Sequence, residues 1–278
     1  MTRKSAKTFG PKSRTRPPSW KARPEPMTPQ TPSDIPSVTF RRQSAELAVI
    51  YGFHAVREAL RVKRRKLLDV YATKAAAEKL AAEIAAVGLS PHIVDAEILS
   101  RRLGANAVHQ GIMLEAHPIE PIDISEIDSQ SGLVLVLDQI TDPHNVGAIL
   151  RTAAAFGVDA LITTERHAPE MAGVVAKAAS GGLEHVAIVT VVNLARALDE
   201  LGKQGYLRVG LDSEGPTDFT KAPLTRPLAL VLGGEGKGLR RLTREKCDIL
   251  VRLDMPGAIK SLNVSNACAV ALTLAQRI

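Results

Sequence analysis

The feature that most constrains this 278-residue chain is the alternation of short apolar runs with helical patterns from residue 133 onward. Strands read at Leu133–Leu137, Ala160–Thr163, Val186–Val191, Leu207–Leu211, Leu228–Leu232 and Ile249–Leu253. Helical stretches stand between them at Val146–Phe156, Met171–Ala179, Leu194–Leu201 and Leu239–Lys246, and Ser265–Arg277 closes the series. Short, continuously apolar runs suit strands buried on both faces. Alternation with helices then implies an α/β fold, a parallel sheet covered on both sides. Ligands of such sheets sit beyond the carboxyl ends of the strands.

Three loops at those ends are dense in polar or glycine residues. The first, Asp138-Gln-Ile-Thr-Asp-Pro-His-Asn145, opens a helix whose apolar stripe is Val146, Ile149, Leu150, Ala153 and Phe156. Arg151 lies off that stripe beside the small residues Ala148, Thr152 and Ala155, where a planar cation suits a phosphate. A plain surface arginine is the other reading, and Asn145 also reads as the helix N-cap. The second loop is Gly233-Gly-Glu-Gly-Lys-Gly238. It has neither the ending of a phosphate loop nor the third glycine of a dinucleotide fingerprint, but its glycines let backbone approach a ligand. The third is Ser261-Leu-Asn-Val-Ser-Asn266, in which Ser265 or Asn266 is expected to cap the last helix. Ser261 and Asn263 are freer to face a ligand. The strand ends before Gly233 and Leu253 are expected to be neighbours that build one pocket. Together the loops offer Asn145, Arg151, Glu235, Ser261 and Asn263. No metal-binding spacing, activated thiol or paired catalytic carboxylates accompany them, and group transfer to a polar acceptor remains.

Upstream, residues 46–117 read as a small α/β unit, including one helix over Ala75–Val87. Residues 118–131 read as an acidic, proline-containing linker before a second domain at 132–278. Residues 1–45 read as a disordered arm: eight of the 17 prolines lie before residue 43, with few aliphatic side chains. The net charge of +7 lies there too, since residues 1–42 hold ten Lys and Arg against two acids, leaving 26 against 27 in the remainder. The arm reads as a basic tether for RNA phosphates or as a solubilising tail. Lys63-Arg-Arg-Lys66 and Arg101-Arg102 read as RNA contacts or as solvated charges at helix C-termini. Aromatic residues make up only 3%, so RNA would be read by shape and phosphate rather than on a stacking platform. Two cysteines without disulfide spacing, and no apolar leader, point to a reducing cytoplasm. No apolar run reaches the roughly 18 residues of a membrane span.

Asp142-Pro-His-Asn-Val-Gly-Ala-Ile-Leu-Arg-Thr-Ala, Leu232-Gly-Gly-Glu-Gly-Lys-Gly-Leu and Ser261-Leu-Asn-Val-Ser resemble, in order and spacing, the three motifs of the SpoU/TrmH (SPOUT) family of RNA ribose 2′-O-methyltransferases. Val49-Ile-Tyr-Gly-Phe-His-Ala-Val-Arg-Glu-Ala-Leu60 and Ala107-Val-His-Gln-Gly111 resemble the ribosomal-protein-like RNA-binding domain of its 23S rRNA guanosine branch. The resemblance covers residues 47–278. It implies a trefoil knot in the C-terminal domain, an exception to unknotted topology, and a homodimer with S-adenosylmethionine held in the knot. It implies that Gly233, Leu253 and Leu262 line the cofactor, with Gly234, Gly236 and Met255 nearby. Asn145, Arg151, Glu235, Ser261 and Asn263 carry over as the catalytic set. Two departures fall in the cofactor loop: Leu253-Asp-Met replaces Ile-Pro-Met, and Ala258-Ile-Lys replaces Ser-Val-Glu.

The reaction so implied is in-line displacement at a sulfonium methyl by a ribose 2′-oxygen, which needs alignment and removal of a weakly acidic proton. Arg151 is often given the base role in this family. A guanidinium stays charged, so a clamp on phosphate and developing oxyanion fits it better. Ser261 and Asn263 would orient the ribose or cofactor, and Glu235 would order its loop. The implied substrate is 23S rRNA, free or in a pre-ribosomal particle. Alternatives are a tRNA or resistance-type rRNA enzyme of the same family, and an RNA-binding assembly factor without methyl transfer.

Overall fold

A computed structural model of the chain describes residues 38–234, 236 and 238–278. Residues 38–278 make one compact unit holding two sheets. The first is assembled from β1 (Ala48–Tyr51), α1 (Phe53–Val62), β2 (Leu67–Ala72), α2 (Lys74–Lys79), α3 (Ala81–Ala86), β3 (His92–Ile93), α4 (Ala96–Leu103) and β4 (Ile112–Ala116). Its strand order is β1-β4-β2-β3, antiparallel except for the β2/β3 pair. The expected helix over Ala75–Val87 is two short helices that break at Leu80, whose N–H reaches back to both Ala76 and Ala77. Leu80 and Ile84, four residues apart across the break, are both in the core.

The larger sheet follows with β5 (Leu133–Asp138), α5 (Pro143–Ala155), β6 (Ala160–Thr164), α6 (Gly173–Ala179), β7 (Ala187–Val191), α7 (Leu194–Lys203), β8 (Leu207–Leu211), β9 (Thr217–Asp218), β10 (Leu228–Gly233), α8 (Arg241–Lys246), β11 (Ile249–Arg252) and α9 (Val264–Ala275). All its pairings are parallel, in the order β7-β6-β5-β10-β8-β11-β9. Every residue of β5 is buried, as its uninterrupted apolar run requires of a central strand. One face packs Val134, Val136 and Ile162 under α7. The other packs Leu133, Leu135 and Leu137 under α5, α6 and α9, in a core continuous with Ile50, Val56 and Leu60 of the first sheet. The side on which strands are added switches at β5, with β6 and β7 laid on one side and β10 on the other, and such a switch is where an open parallel sheet opens a crevice.

Several expectations change. β10 and β11 are not neighbours, because β8 lies between them. The arm expected to be disordered up to residue 45 is packed from residue 38: the Phe40 ring lies tilted against Tyr71 with centroids 4.8 Å apart, and the Arg41 side chain binds Asp69 at 2.6 Å. Residues 1–37 of that arm lie outside the described residues. The stretch 118–131 is more than a polar connector, since Ile119 and Ile124 are buried and the Ile122 N–H binds the Ile188 carbonyl at the edge of the large sheet. The trace of this in the sequence is the four isoleucines at 119, 122, 124 and 127.

Candidate active site

The loops beyond β8, β10 and β11 and the start of α9 enclose a cavity of about 350 Å³. Gly233, Gly234, Gly236, Leu253, Met255 and Leu262 all line it, and Ser261 stands at its wall. Its remaining walls include Leu211, Asp212 and Ser213, from a loop that the sequence reading did not weigh. The available signal was the polar run Asp212-Ser-Glu-Gly215 directly after a buried strand.

Local chemistry explains why the second loop is built of glycine. A Cβ on Gly233 would stand 2.3 Å from the Gly238 carbonyl carbon, and one on Gly234 would stand 2.6 Å from the Gln139 carbonyl oxygen. The loop doubles back on itself, with the Gly238 N–H bonded to the Gly234 carbonyl at 3.0 Å, and no side chain fits inside the turn. Gly236 and Gly238 take the left-handed conformation that glycine adopts without strain. Asp138, fully buried at the end of β5, accepts from the Arg240 N–H at 2.9 Å and from its Nε at 2.6 Å. That pair ties the far end of the glycine loop to the neighbouring strand. Lys260 closes the third loop through its Nζ on the Met255 carbonyl at 2.5 Å. It belongs to one of the two departures from the family pattern. In the other, Asp254 turns outward to Arg252, while Leu253 and Met255 keep their places on the wall.

Both expected helix caps shift. Asp142 caps α5 by accepting from the His144 N–H, with Pro143 in the first turn. Asn145 therefore lies inside the helix, buried at 8% exposure. Its Oδ1 accepts from Asn263 Nδ2 at 2.9 Å, across 118 residues of sequence. Asn263, rather than Ser265 or Asn266, caps α9: its Oδ1 accepts from the Ser265 N–H and from the Ser265 hydroxyl. The two asparagines thus join the N-termini of α5 and α9 beside the cavity. Gly147, two residues on, lets α5 lie against α6, where a Cβ would stand 2.4 Å from that of Ala178.

Arg151 lies six residues, about 1.7 turns, beyond Asn145, exposed and without a hydrogen bond or ion pair among the described residues. It stands outside the cavity wall, as do Asn145 and Asn263. Glu235 lies outside the described residues. Cys247 is held up at about 12, and Cys268 likewise, each by burial, so neither offers a thiolate at neutral pH. Among the described residues no group of three or more His, Cys, Asp or Glu gathers as a metal site. No helix among them is long and apolar enough to cross a membrane.

The two basic patches of the small unit, open between RNA contact and solvated charge, are largely occupied within the fold. Arg65 is buried against Glu184, Arg64 binds the Val186 carbonyl, and Lys63 binds the Ala86 carbonyl. Arg102 binds the fully buried Glu115 at 3.2 Å and covers the Phe40 ring. Lys66 and Arg101 remain on the surface.

Comparison with known proteins bears on this geometry. Residues 132–273 match the SpoU rRNA Methylase family, and residues 49–122 match the family described as RNA 2′-O ribose methyltransferase substrate binding. The chain is 40% identical over 238 residues to the 23S rRNA (guanosine-2′-O-)-methyltransferase RlmB of Vibrio vulnificus, covering 82% of this chain and 96% of that protein. It is 41% identical over 239 residues to RlmB of Ralstonia nicotianae, covering 82% and 95%. Among solved structures, the SpoU methyltransferase AviRb of Streptomyces viridochromogenes, in complex with AdoMet, aligns with a TM-score of 0.73 at 22% identity, over 84% of this chain and 90% of that one. The AdoMet-bound rRNA methyltransferase of Sinorhizobium meliloti aligns with a TM-score of 0.70 at 22% identity, over 84% and 87%. At these identities the two structures speak to the fold.

Proposed function

The chain belongs to the SpoU rRNA methylase family, and on that premise we propose that it methylates a ribose 2′-hydroxyl of RNA, at a guanosine of 23S rRNA. The observation that carries the reading is the cavity wall: glycine backbone on one side, Leu253, Met255 and Leu262 on the other, with the joined Asn145–Asn263 pair beside it. The residues fit S-adenosylmethionine. Apolar side chains suit the faces of an adenine ring, and loop backbone at Gly233, Gly234 and Gly236 can come within hydrogen-bonding distance of its edge. When bound, the cofactor supplies an electrophilic methyl group.

The chain's own residues then do the positioning. Arg151, free of partners among the described residues and open to solvent, clamps an RNA phosphate and stabilises the 2′-oxygen as its proton passes to water. Ser261, at the cavity wall, orients the ribose. Asn145 holds Asn263, which in turn fixes the first turn of α9, so the third loop approaches the cavity in one conformation. Glu235 is proposed to order the glycine loop. Residues 46–117 serve as the RNA-binding domain and 132–278 as the transferase domain, joined through 118–131. A homodimer is supported by Ile259, Leu262 and Val270, which expose 75%, 43% and 42% of their surface beside the cavity and along α9. A trefoil knot in residues 132–278 belongs to the same reading and rests on the family match. A pre-ribosomal particle as substrate and a cytoplasmic location belong to the same reading.

The test is methyl transfer from labelled S-adenosylmethionine to undermethylated 23S rRNA by the parent protein and Arg151→Ala. An alkali-resistant 2′-O-methylguanosine dinucleotide, formed by the parent and lost in the variant, is the expected result. RNA binding without transfer would sink the reading and leave an assembly factor in its place.

A further inference from the structure

We propose that Lys177 and Gln110, together with the buried Arg65–Glu184 pair, are positioning residues for methyl transfer: they mount α1 of the small lobe on the elements beside Arg151, so that RNA held by that lobe meets the site at one fixed offset. The inference rests on the methyltransferase reading above and deepens it.

Helix α1 is fastened at three places. At its N-terminus the Gln110 Oε1 accepts from the Phe53 N–H at 3.0 Å and from Lys177 Nζ, on α6, at 2.5 Å. The Lys177 stem lies on Gly52, where a Cβ would stand 2.6 Å from its Cδ. Gln110 is itself held in the left-handed conformation, and the adjoining His109 Nδ1 accepts from the Gly111 N–H at 3.0 Å. At mid-helix, Glu58 packs on the bare face of Gly181 and meets His185 at 3.3 Å. At the C-terminal end, Arg65 reaches Glu184 through two hydrogen bonds, at 3.1 and 2.7 Å, with side-chain exposures of 0% and 2%. Arg64 adds a bond to the Val186 carbonyl at 2.6 Å.

The link to the site runs through two adjacent glycines. Gly181 touches Glu58 of α1, while a Cβ on Gly182 would stand 2.9 Å from the Cα of Arg151. A single glycine step therefore separates the small lobe from the backbone of the residue proposed to clamp RNA. Domains joined by a polar, solvated interface move by default. Here a bidentate ion pair is sealed from water, and core side chains run unbroken from Val56 and Leu60 to Val175 and Leu183. A lobe held in this way presents its RNA in register with the cavity, so that RNA gripped by the lobe stands at a high effective concentration at the site.

The test uses the full chain with spin labels on two exposed positions, Glu97→Cys in the small lobe and Lys203→Cys in the large one. Pulsed dipolar spectroscopy then reads the distance between lobes. Glu184→Gln leaves Arg65 buried without its counter-ion and can abolish folding, so Lys177→Ala, at the solvated end of the mount, carries the decision. With the labelled chain diluted into unlabelled chain to suppress couplings between subunits, expected are one narrow distance in the parent, a broadened one in Lys177→Ala, and restoration by Lys177→Arg. A rise of roughly tenfold in KM for intact 23S rRNA should accompany the broadening, with kcat and the Kd for S-adenosylmethionine unchanged. An equally narrow distance with unchanged KM overturns the proposal, as does a broadened distance with unchanged KM. A KM increase matched by weaker cofactor binding also overturns it, because that marks general damage. Should the parent itself transfer no methyl group, the function reading fails, and the distance measurement still decides whether the lobes are mounted.

Discussion

A single methyl group added to the glycine loop tests the site at the scale of one residue. Gly234→Ala places a Cβ 2.6 Å from the Gln139 carbonyl oxygen, which is backbone and cannot swing away. We expect the S-adenosylmethionine Kd, measured by calorimetry, to rise by at least about tenfold, equivalent to ~1.4 kcal/mol. Gly257→Ala, where a Cβ meets nothing, should leave it unchanged. His109 gives a second test, through pH. Burial, with the Lys177 charge adding to it, lowers its pKa below the ordinary histidine value. The folded protein then binds fewer protons than the unfolded chain, so stability rises with pH. The contribution is complete above about pH 6.5 and is lost as pH falls through the lowered folded value. Protonation also removes the Nδ1 lone pair that receives the Gly111 N–H. Thermal unfolding at pH 7.5 and 5.5 should show a larger loss in the parent than in His109→Gln. At this scale the glycine turn and the exposure of Arg151 were legible, because glycine-rich backbone and an off-stripe cation are sequence patterns. The caps were misread. Asp142 and Asn145 are both good capping residues, and only the position of the first helical turn decides between them.

Elements bring those residues together, and the meeting of α5 with α9 is the clearest case. Asn263 caps α9 and donates to Asn145, so Asn263→Ala removes both functions. Chemical denaturation should show a loss of about 1 kcal/mol from the cap. Methyl transfer should fall further than that loss of stability explains, since the third loop loses its anchor. Asn263→Ser, which can cap but cannot span to Asn145, should recover the stability and not the rate. The positions of most strands and helices could be read from apolar runs and periodicity, but the order of strands in the sheet could not. Nothing in Leu228–Leu232 or Ile249–Leu253 says that β8 will lie between them, because pairing partners are chosen by chain crossings rather than by local pattern. The two-residue strand β9 was too short to leave any periodic trace.

For the whole molecule the decisive feature is the seal between the two sheets. Arg65 and Glu184 are removed from water together, and burial pushes the Glu184 carboxyl up against the pull of Arg65 and Arg64. Removing one member of such a pair leaves a buried charge uncompensated, whereas replacing both with apolar residues of similar size can be neutral. Glu184→Gln should therefore cost about 3–5 kcal/mol in urea unfolding, and the double change Arg65→Met, Glu184→Leu should cost much less. Equal losses would refute this account of the pair. From sequence, Lys63-Arg-Arg-Lys66 is one basic run, and its division into a buried arginine, a bound arginine and an exposed lysine depends on contacts more than a hundred residues away.

The cavity walls come from Leu211 to Ala267, while the partner that steadies them, Asn145, is far upstream. During synthesis, then, most of the core strands are already made before any place for a methyl donor exists. A chain still emerging from the ribosome, with α9 unmade, has β5 and α5 but no enclosed cavity. Since those walls run from Leu211 to Ala267, a place for the donor needs that whole stretch, however much of the upstream sheet has already formed.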